Sequence, residues 1–312
     1  AGKGGTTSAP YSSGQYSVAV GAEALSNFTT AEGNIAIGYQ AGNDITTGAN
    51  NVLIGKLAGD LLTLGSNNVV VGSGALGTAD GLERENIAIG FGAAGGMNND
   101  SAIRNVFIGE YAGYGGTGAL NYSVAIGYRA LDSTGANNNS GTVAIGYYAG
   151  ADITSGASST LLGYEAGLSL TTGNNNTLIG YQAGRLLTHS NNVAIGTLAF
   201  DAATSAEDSV IIGYSAGSAI TTGDGNVAIG HSALATHTTG GRNIAIGNGA
   251  MDDTDAGSNS LGSVDNIFMG HNAGGGTWAD LDSNRNIAIG NYTMDAATNG
   301  ALDNVAVGHY AL

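Results

Sequence analysis

The chain has 312 residues, 42% apolar and only 10% charged, with 24 acids against 8 Lys and Arg for a net charge of −16. The lack of Cys excludes disulfides and thiolate metal sites, the single Pro excludes collagen, and the apolar content argues against charge-driven disorder. The acidic balance disfavours nucleic acid as a partner, and no apolar run is long enough to insert in a membrane as a helix.

Residues 1–16 read as a lead-in segment without the basic-then-apolar layout of a signal peptide. From 17 to 312 the chain reads as a single repeat array. One phrase, N-[VI]-A-[VI]-G-x-x-A-[GL], recurs throughout, and its nine positions are lettered a to i. Its Gly, position e, stands at Gly21, Gly38, Gly55, Gly72, Gly90, Gly109, Gly127, Gly146, Gly163, Gly180, Gly196, Gly213, Gly230, Gly247, Gly270, Gly290 and Gly308. The mean period is about 18 residues, and the longest interval, 23, separates Gly247 from Gly270. Position a is Asn34, Asn51, Asn68, Asn86, Asn105, Asn176, Asn192, Asn226, Asn243, Asn266, Asn286 and Asn304, and elsewhere Ser17, Ser123, Thr142, Ser159 and Ser209. Position b is β-branched in every copy, c is Ala in ten, and h is Ala in 16 of the 17. No charged residue occurs at a to e.

Within each copy, b to d read as a short strand ended by Gly, which suits a tight turn or a close backbone approach. Positions f to h read as a second short strand. The rest is turn chemistry around one apolar anchor, as at Ile45, Leu62, Ile153, Leu170, Leu187 and Ile220. Frequent Gly and β-branched residues exclude helix. One copy cannot bury its own apolar face, so the copies stack with parallel strand pairing. The expected fold is an all-β parallel solenoid, or β-roll, of about 17 rungs, on the order of 80 Å long. The Asn at position a would then form a ladder of stacked amides.

Alternation puts b and d on one strand face and c on the other. Both faces are apolar, and a solenoid interior buries only one. The other face is expected to pack on further chains, because soluble monomers rarely expose long apolar stripes. The alternative is a single chain whose loops fold back over the stripe. The pattern leaves open which face is which.

The phrase resembles the head repeats of YadA-like trimeric autotransporter adhesins, approximately N-S-V-A-I-G-x-x-S-x-A. It does so at Ser17–Gly21, Ser123–Gly127, Asn192–Gly196 and Asn226–Gly230. The resemblance covers residues 17 to 312 and implies a left-handed parallel β-roll, a homotrimer, and an adhesive role at a cell surface. The family's period is shorter, about 14 residues, and its coiled-coil stalk and membrane barrel have no counterpart here. The longer repeat, with G-Y-x-A-G at 38–42 and 180–184, also resembles the β-roll repeats of phage and virus tail fibres.

Several residues invite a binding role. Tyr128, Tyr147, Tyr164, Tyr181 and Tyr214 share position f. They read as a ladder covering the turn, or alternatively as a contact surface for a glycan or a host-surface protein. His189, His231, His237, His271 and His309 read as exposed polar turn residues. The acidic insert 252–259 is oxygen-rich, but its order matches no calcium-binding loop, so it reads as a solvated loop. Adjacent T-T-G threonines lack the T-x-T spacing of an ice-binding face. No catalytic motif is present, so no catalytic residue, cofactor or metal ligand is assigned. The expected function is that of a non-enzymatic fibrous head or shaft on a bacterial or virion surface, acting outside the cell by multivalent contact. The alternative is a filament subunit that stacks end to end.

Overall fold

The structure is a computed structural model and describes residues 16–98, 102–116, 118, 120–135, 139–253, 262–276, 281–296 and 300–312. The lead-in, except Tyr16, and positions 254–259 of the acidic insert lie outside the described residues. The chain divides into two compact units, Ala1–Ser158 and Ser159–Leu312. The first holds strands β1 (Val18–Val20) to β8 (Val143–Ile145), and the second holds β9 (Thr160–Leu162) to β17 (Val305–Val307). Every strand is three residues long and covers positions b to d. No helix occurs among the described residues.

Within each unit, successive strands pair in parallel, equivalent position to equivalent position. In the first, β2 (Ile35–Ile37) sets Ile35, Ala36 and Ile37 against Val52, Leu53 and Ile54 of β3. In the second, β12 (Val210–Ile212) sets Val210, Ile211 and Ile212 against Val227, Ala228 and Ile229 of β13. Each unit is therefore a parallel β-solenoid, and the fold is all-β.

Position e closes each strand. At Gly55, φ is +138°, and an added Cβ would lie 2.5 Å from the carbonyl oxygen of Gly72 in the next rung. Real Cβ atoms do not come that close, so the recurrence of Gly follows from the stacking itself. The next amide contact is made at g, where Leu57 N–H donates to Tyr39 O of the preceding rung at 2.9 Å.

Positions f to h do not form the second strand expected from the sequence; they are turn. Position g is left-handed, at φ 54° in Gln40 and Gln182 and 57° in Leu57, which breaks an extended course. Position i is left-handed too, even where it is Leu25, Leu76 or Phe200. The chain therefore reverses over f to i and directs h and i inward. Here Ala41, Ala58 and Ala75 are fully buried, each donating its N–H to the e carbonyl of its own rung.

The interior lies behind position c, which is buried in 16 of the 17 strands. Its volume is matched within the rung by position i. Where c is large, i is Gly: Leu53 with Gly59, Phe107 with Gly113, Leu161 with Gly167, Leu178 with Gly184, Ile211 with Gly217, and Phe268 with Gly274. A Cβ on Gly184 would come within 2.9 Å of Leu178. Where c is Ala, i is usually large: Ala125 with Leu131, Ala194 with Phe200, Ala228 with Leu234, and Ala245 with Met251, all fully buried. Three rungs are small at both positions, Ala36 with Gly42, Ala88 with Ala94 and Ala144 with Gly150. There the buried anchors Ile45, Met97 and Ile153 supply volume. The matching is a tendency, since Val70 and Leu76 are both buried in one rung; interiors pack near crystal density, so compensation between c and i helps the rungs stack.

Candidate functional site

The strand pattern resolves the question of faces. Position c points inward, while b and d point outward, and none of these outward residues is buried. Many are half-buried, and Val20, Ile37, Leu162, Met269 and Ile289 are exposed. Among the described residues, therefore, no loop folds back to bury the stripe. At about 4.8 Å per rung the eight strands of the first unit carry it for about 34 Å, and the nine of the second for about 38 Å. The stripe is Val, Ile, Leu and Met, with Thr160 and Thr177 its only hydroxyls and no charge.

Position a points inward beside c. The amide of Asn51 shows the full pattern. Its backbone N–H and its Nδ2 donate to Asn34 Oδ1 at 2.9 and 3.1 Å, and Nδ2 also donates to Gly65 O at 2.9 Å, in the loop of its own rung. Asn51 Oδ1 in turn accepts from Asn68 N and Nδ2. The same Nδ2-to-Oδ1 bonds join Asn86 and Asn105 to the rungs before them. In the second unit they join Asn243 to Asn226, then Asn266, Asn286 and Asn304 in succession. Asn192 receives Asn176 Oδ1 on its backbone N–H at 2.9 Å. Where Ser replaces Asn, the hydroxyl accepts the amide of the next rung, as Ser209 Oγ does from Asn226 N at 3.2 Å. The clasp on the loop carbonyl, made by the position-a asparagines from Asn34 to Asn286, had no signal in the sequence. These groups are buried and polar, so their role is structural.

The tyrosines lie on the turn edge. Tyr128 and Tyr147 stack at 5.3 Å in the first unit, and Tyr164 and Tyr181 at 5.2 Å in the second, where Tyr214 stacks on His231 at 5.2 Å. Tyr147, Tyr164, Tyr181 and Tyr214 stay 41% to 53% exposed, so each pair offers a ring face to solvent. Arg129 sits among Tyr111, Tyr128 and Tyr148, with ring centroids 5.4 to 6.0 Å from its guanidinium carbon, and 3.4 Å from Asp132. Its charge is held by Asp132 first, and its pKa is raised.

Charges gather in two further columns. The residue before a carries Arg104 beside Glu85, Arg242 beside Asp265, and Arg285 beside Asp303, each pair at 2.6 Å. The arginine hydrogen bonds pull the Asp265 and Asp303 carboxyls down, but these pairs are exposed and contribute little to stability. Five residues after e stand Asp60, Asp132, Asp201 and Asp252, half-buried, with burial the main cause of their raised pKa.

One histidine departs from the exposed-turn expectation. His237 is fully buried. It follows Gly230 by seven residues, the place that Ile220 holds after Gly213, so it occupies the apolar anchor column. Burial lowers its pKa to about 4, against smaller opposing effects from the Gly240 and Ser263 backbone and from Asp282. Asn243 Nδ2 lies 3.2 Å from its Nε2, as suits an unprotonated acceptor nitrogen.

The T-T-G threonines are also structural. Thr46 Oγ1 donates to Thr63 O at 3.2 Å, and Thr221 Oγ1 to Thr238 O at 3.1 Å. Among the described residues there is no cluster of three potential metal ligands, and no helix is long and apolar enough to cross a membrane. The chain matches no protein-family model and no curated protein.

Proposed function

We propose that the chain is a non-enzymatic fibrous module that associates as a homotrimer through its outward b and d stripe. In this reading it forms a head or shaft at a bacterial or virion surface. The observation that carries the reading is the uncovered stripe itself. It is apolar, uncharged, and continuous from rung to rung in both units. Removing such a surface from water stabilises association at about 25 cal/mol per Å². The turn columns with their stacked tyrosines lie at the edge of the strands and stay available for a glycan or host-surface protein, and multiple copies multiply weak contacts.

Light scattering on the purified chain tests the association. The expected mass is three times that of one chain. Ile229→Lys, at position d in the second unit, is expected to shift that mass toward one chain with the β spectrum retained. A wild-type chain that stays monomeric at micromolar concentration overturns the reading.

A further inference from the structure

Two turn columns in the first unit lose their side chains at the same two rungs. At position g, Leu57 and Tyr111 bracket Gly74 and Gly92. Three residues further on, Asp60 and Tyr114 bracket Gly77 and Gly95. The result is a recess of about 480 Å³, inside the size range of small-molecule sites. A Cβ built on Gly74 meets nothing within 4 Å, so the floor is open there.

The two walls differ in chemistry. One is aromatic and fixed. Tyr111 packs edge-on against Phe91 at 5.3 Å and against Tyr114 at 5.1 Å, with the Arg129 guanidinium 5.4 Å from its ring centroid. Phe91 is nonetheless 53% exposed, an apolar ring held out toward the recess. The other wall holds Lys56 and Asp60, and Lys56 makes no ion pair among the described residues.

We propose that this recess binds a neutral pyranose ring. Its C–H face lies on the aromatic wall, and its hydroxyls accept from Lys56 and donate to Asp60. A sugar ring presents an apolar face with donors and acceptors around its rim, and an aromatic surface beside an ammonium and a carboxylate matches that order. Opposite charges on one wall favour an uncharged ligand. An anion would meet Asp60 and the net charge of −16, and a cation would meet Lys56. The recess lies wholly within one unit, so the inference does not depend on how many chains associate.

Saturation-transfer NMR on the full chain, with methyl glucoside, methyl galactoside and methyl N-acetylglucosaminide as probes, tests it. At least one is expected to bind saturably with a Kd on the order of millimolar, as suits few contacts. Transfer should be strongest to the protons of one ring face. Tyr111→Ala is expected to weaken binding tenfold or more. Gly74→Gln should do the same by filling the recess. It places at g a residue that this column already carries as Gln40 and Gln182, at a φ close to the 65° of Gly74, so circular dichroism should hold and melting should fall only slightly. Absence of saturable transfer from all three glycosides overturns the proposal, and so does undiminished binding in Gly74→Gln. Saturable binding of leucinamide in place of the sugars also overturns it, in favour of a peptide.

Discussion

His237 makes acid the sharpest probe of the packed interior. At pH 7 the imidazole is neutral in both the folded and the unfolded chain, and it favours neither. Its ordinary pKa is 6.5, and in the folded chain burial lowers it to about 4. Between these values the unfolded chain takes up a proton that the folded chain refuses, so stability falls as pH drops through the window and levels off below about 4. A gap of about 2.5 units corresponds to about 3 kcal/mol. Other groups titrate in the same range with mixed sign. Burial raises Asp60, Asp132, Asp201 and Asp252, so their protonation favours the folded state, whereas Asp265 and Asp303 act in reverse. The absolute pH profile therefore mixes these effects. The difference between wild type and His237→Leu isolates the imidazole, because Leu is native to the same column at Leu62 and Leu187. Asn243 Nδ2 keeps Asn226 Oδ1 and Ser263 O as acceptors in the variant. Urea unfolding by circular dichroism, repeated from pH 7.5 to about pH 4, measures that difference. Wild type should lose about 3 kcal/mol relative to the variant across the window, most visibly in amide exchange of the second unit. A difference that stays constant with pH, or that moves in favour of wild type on acidification, refutes the burial argument.

Three further outcomes follow from the columns. Asn68→Ala removes the acceptor for two Asn86 donors and the clasp on Glu83 O, and should cost roughly 3 kcal/mol in urea unfolding. Asn68→Ser, which keeps an acceptor as Ser209 does, should cost about half as much. Gly55→Ala should cost about 4 kcal/mol or more, whereas Gly74→Ala, left-handed but open, should cost about 1 kcal/mol; comparable losses at the two sites would refute the steric reading. Ala228→Leu should destabilise by about 1 to 3 kcal/mol through overpacking, and Leu234→Gly by about 2 to 5 kcal/mol. The double variant restores the layout of Leu178 with Gly184, and a double-mutant cycle should show a favourable coupling of about 1 kcal/mol or more.

The strands, their parallel stacking and the Gly column were legible because each depends on side-chain identity at fixed spacing. The turn from f to i was not. Its course is set by left-handed φ at g, and that column holds Gln40, Leu57, Tyr111 and Arg129, none of which announces such a conformation. The inward face was open at the sequence level because Ala at c is as compatible with an interior as with a close contact between chains. The matching sizes of c and i carried the answer, since only two positions sharing one enclosed space need to compensate each other. His237 was also readable by counting seven residues from Gly230, but its polarity directs attention to the surface. The recess had its own signal, two successive rungs with Gly at g.

The asparagine clasp has a consequence for how such a chain can change. Asn192 follows Asn176 by 16 residues and Asn266 follows Asn243 by 23, yet the amide-to-Oδ1 bonds measure 2.9 and 3.1 Å. The strands beside them, Ile244 against Ile267 and Thr177 against Val193, pair without offset. Added length is accommodated between the clasped carbonyl and the position-e glycine and leaves the strand alignment unaltered. The array therefore separates what must be copied from what is free to vary. Peptides inserted beyond the buried anchor and before the clasped carbonyl should display without disturbing their neighbours, which makes each clasped rung an independent mounting point for new surface chemistry.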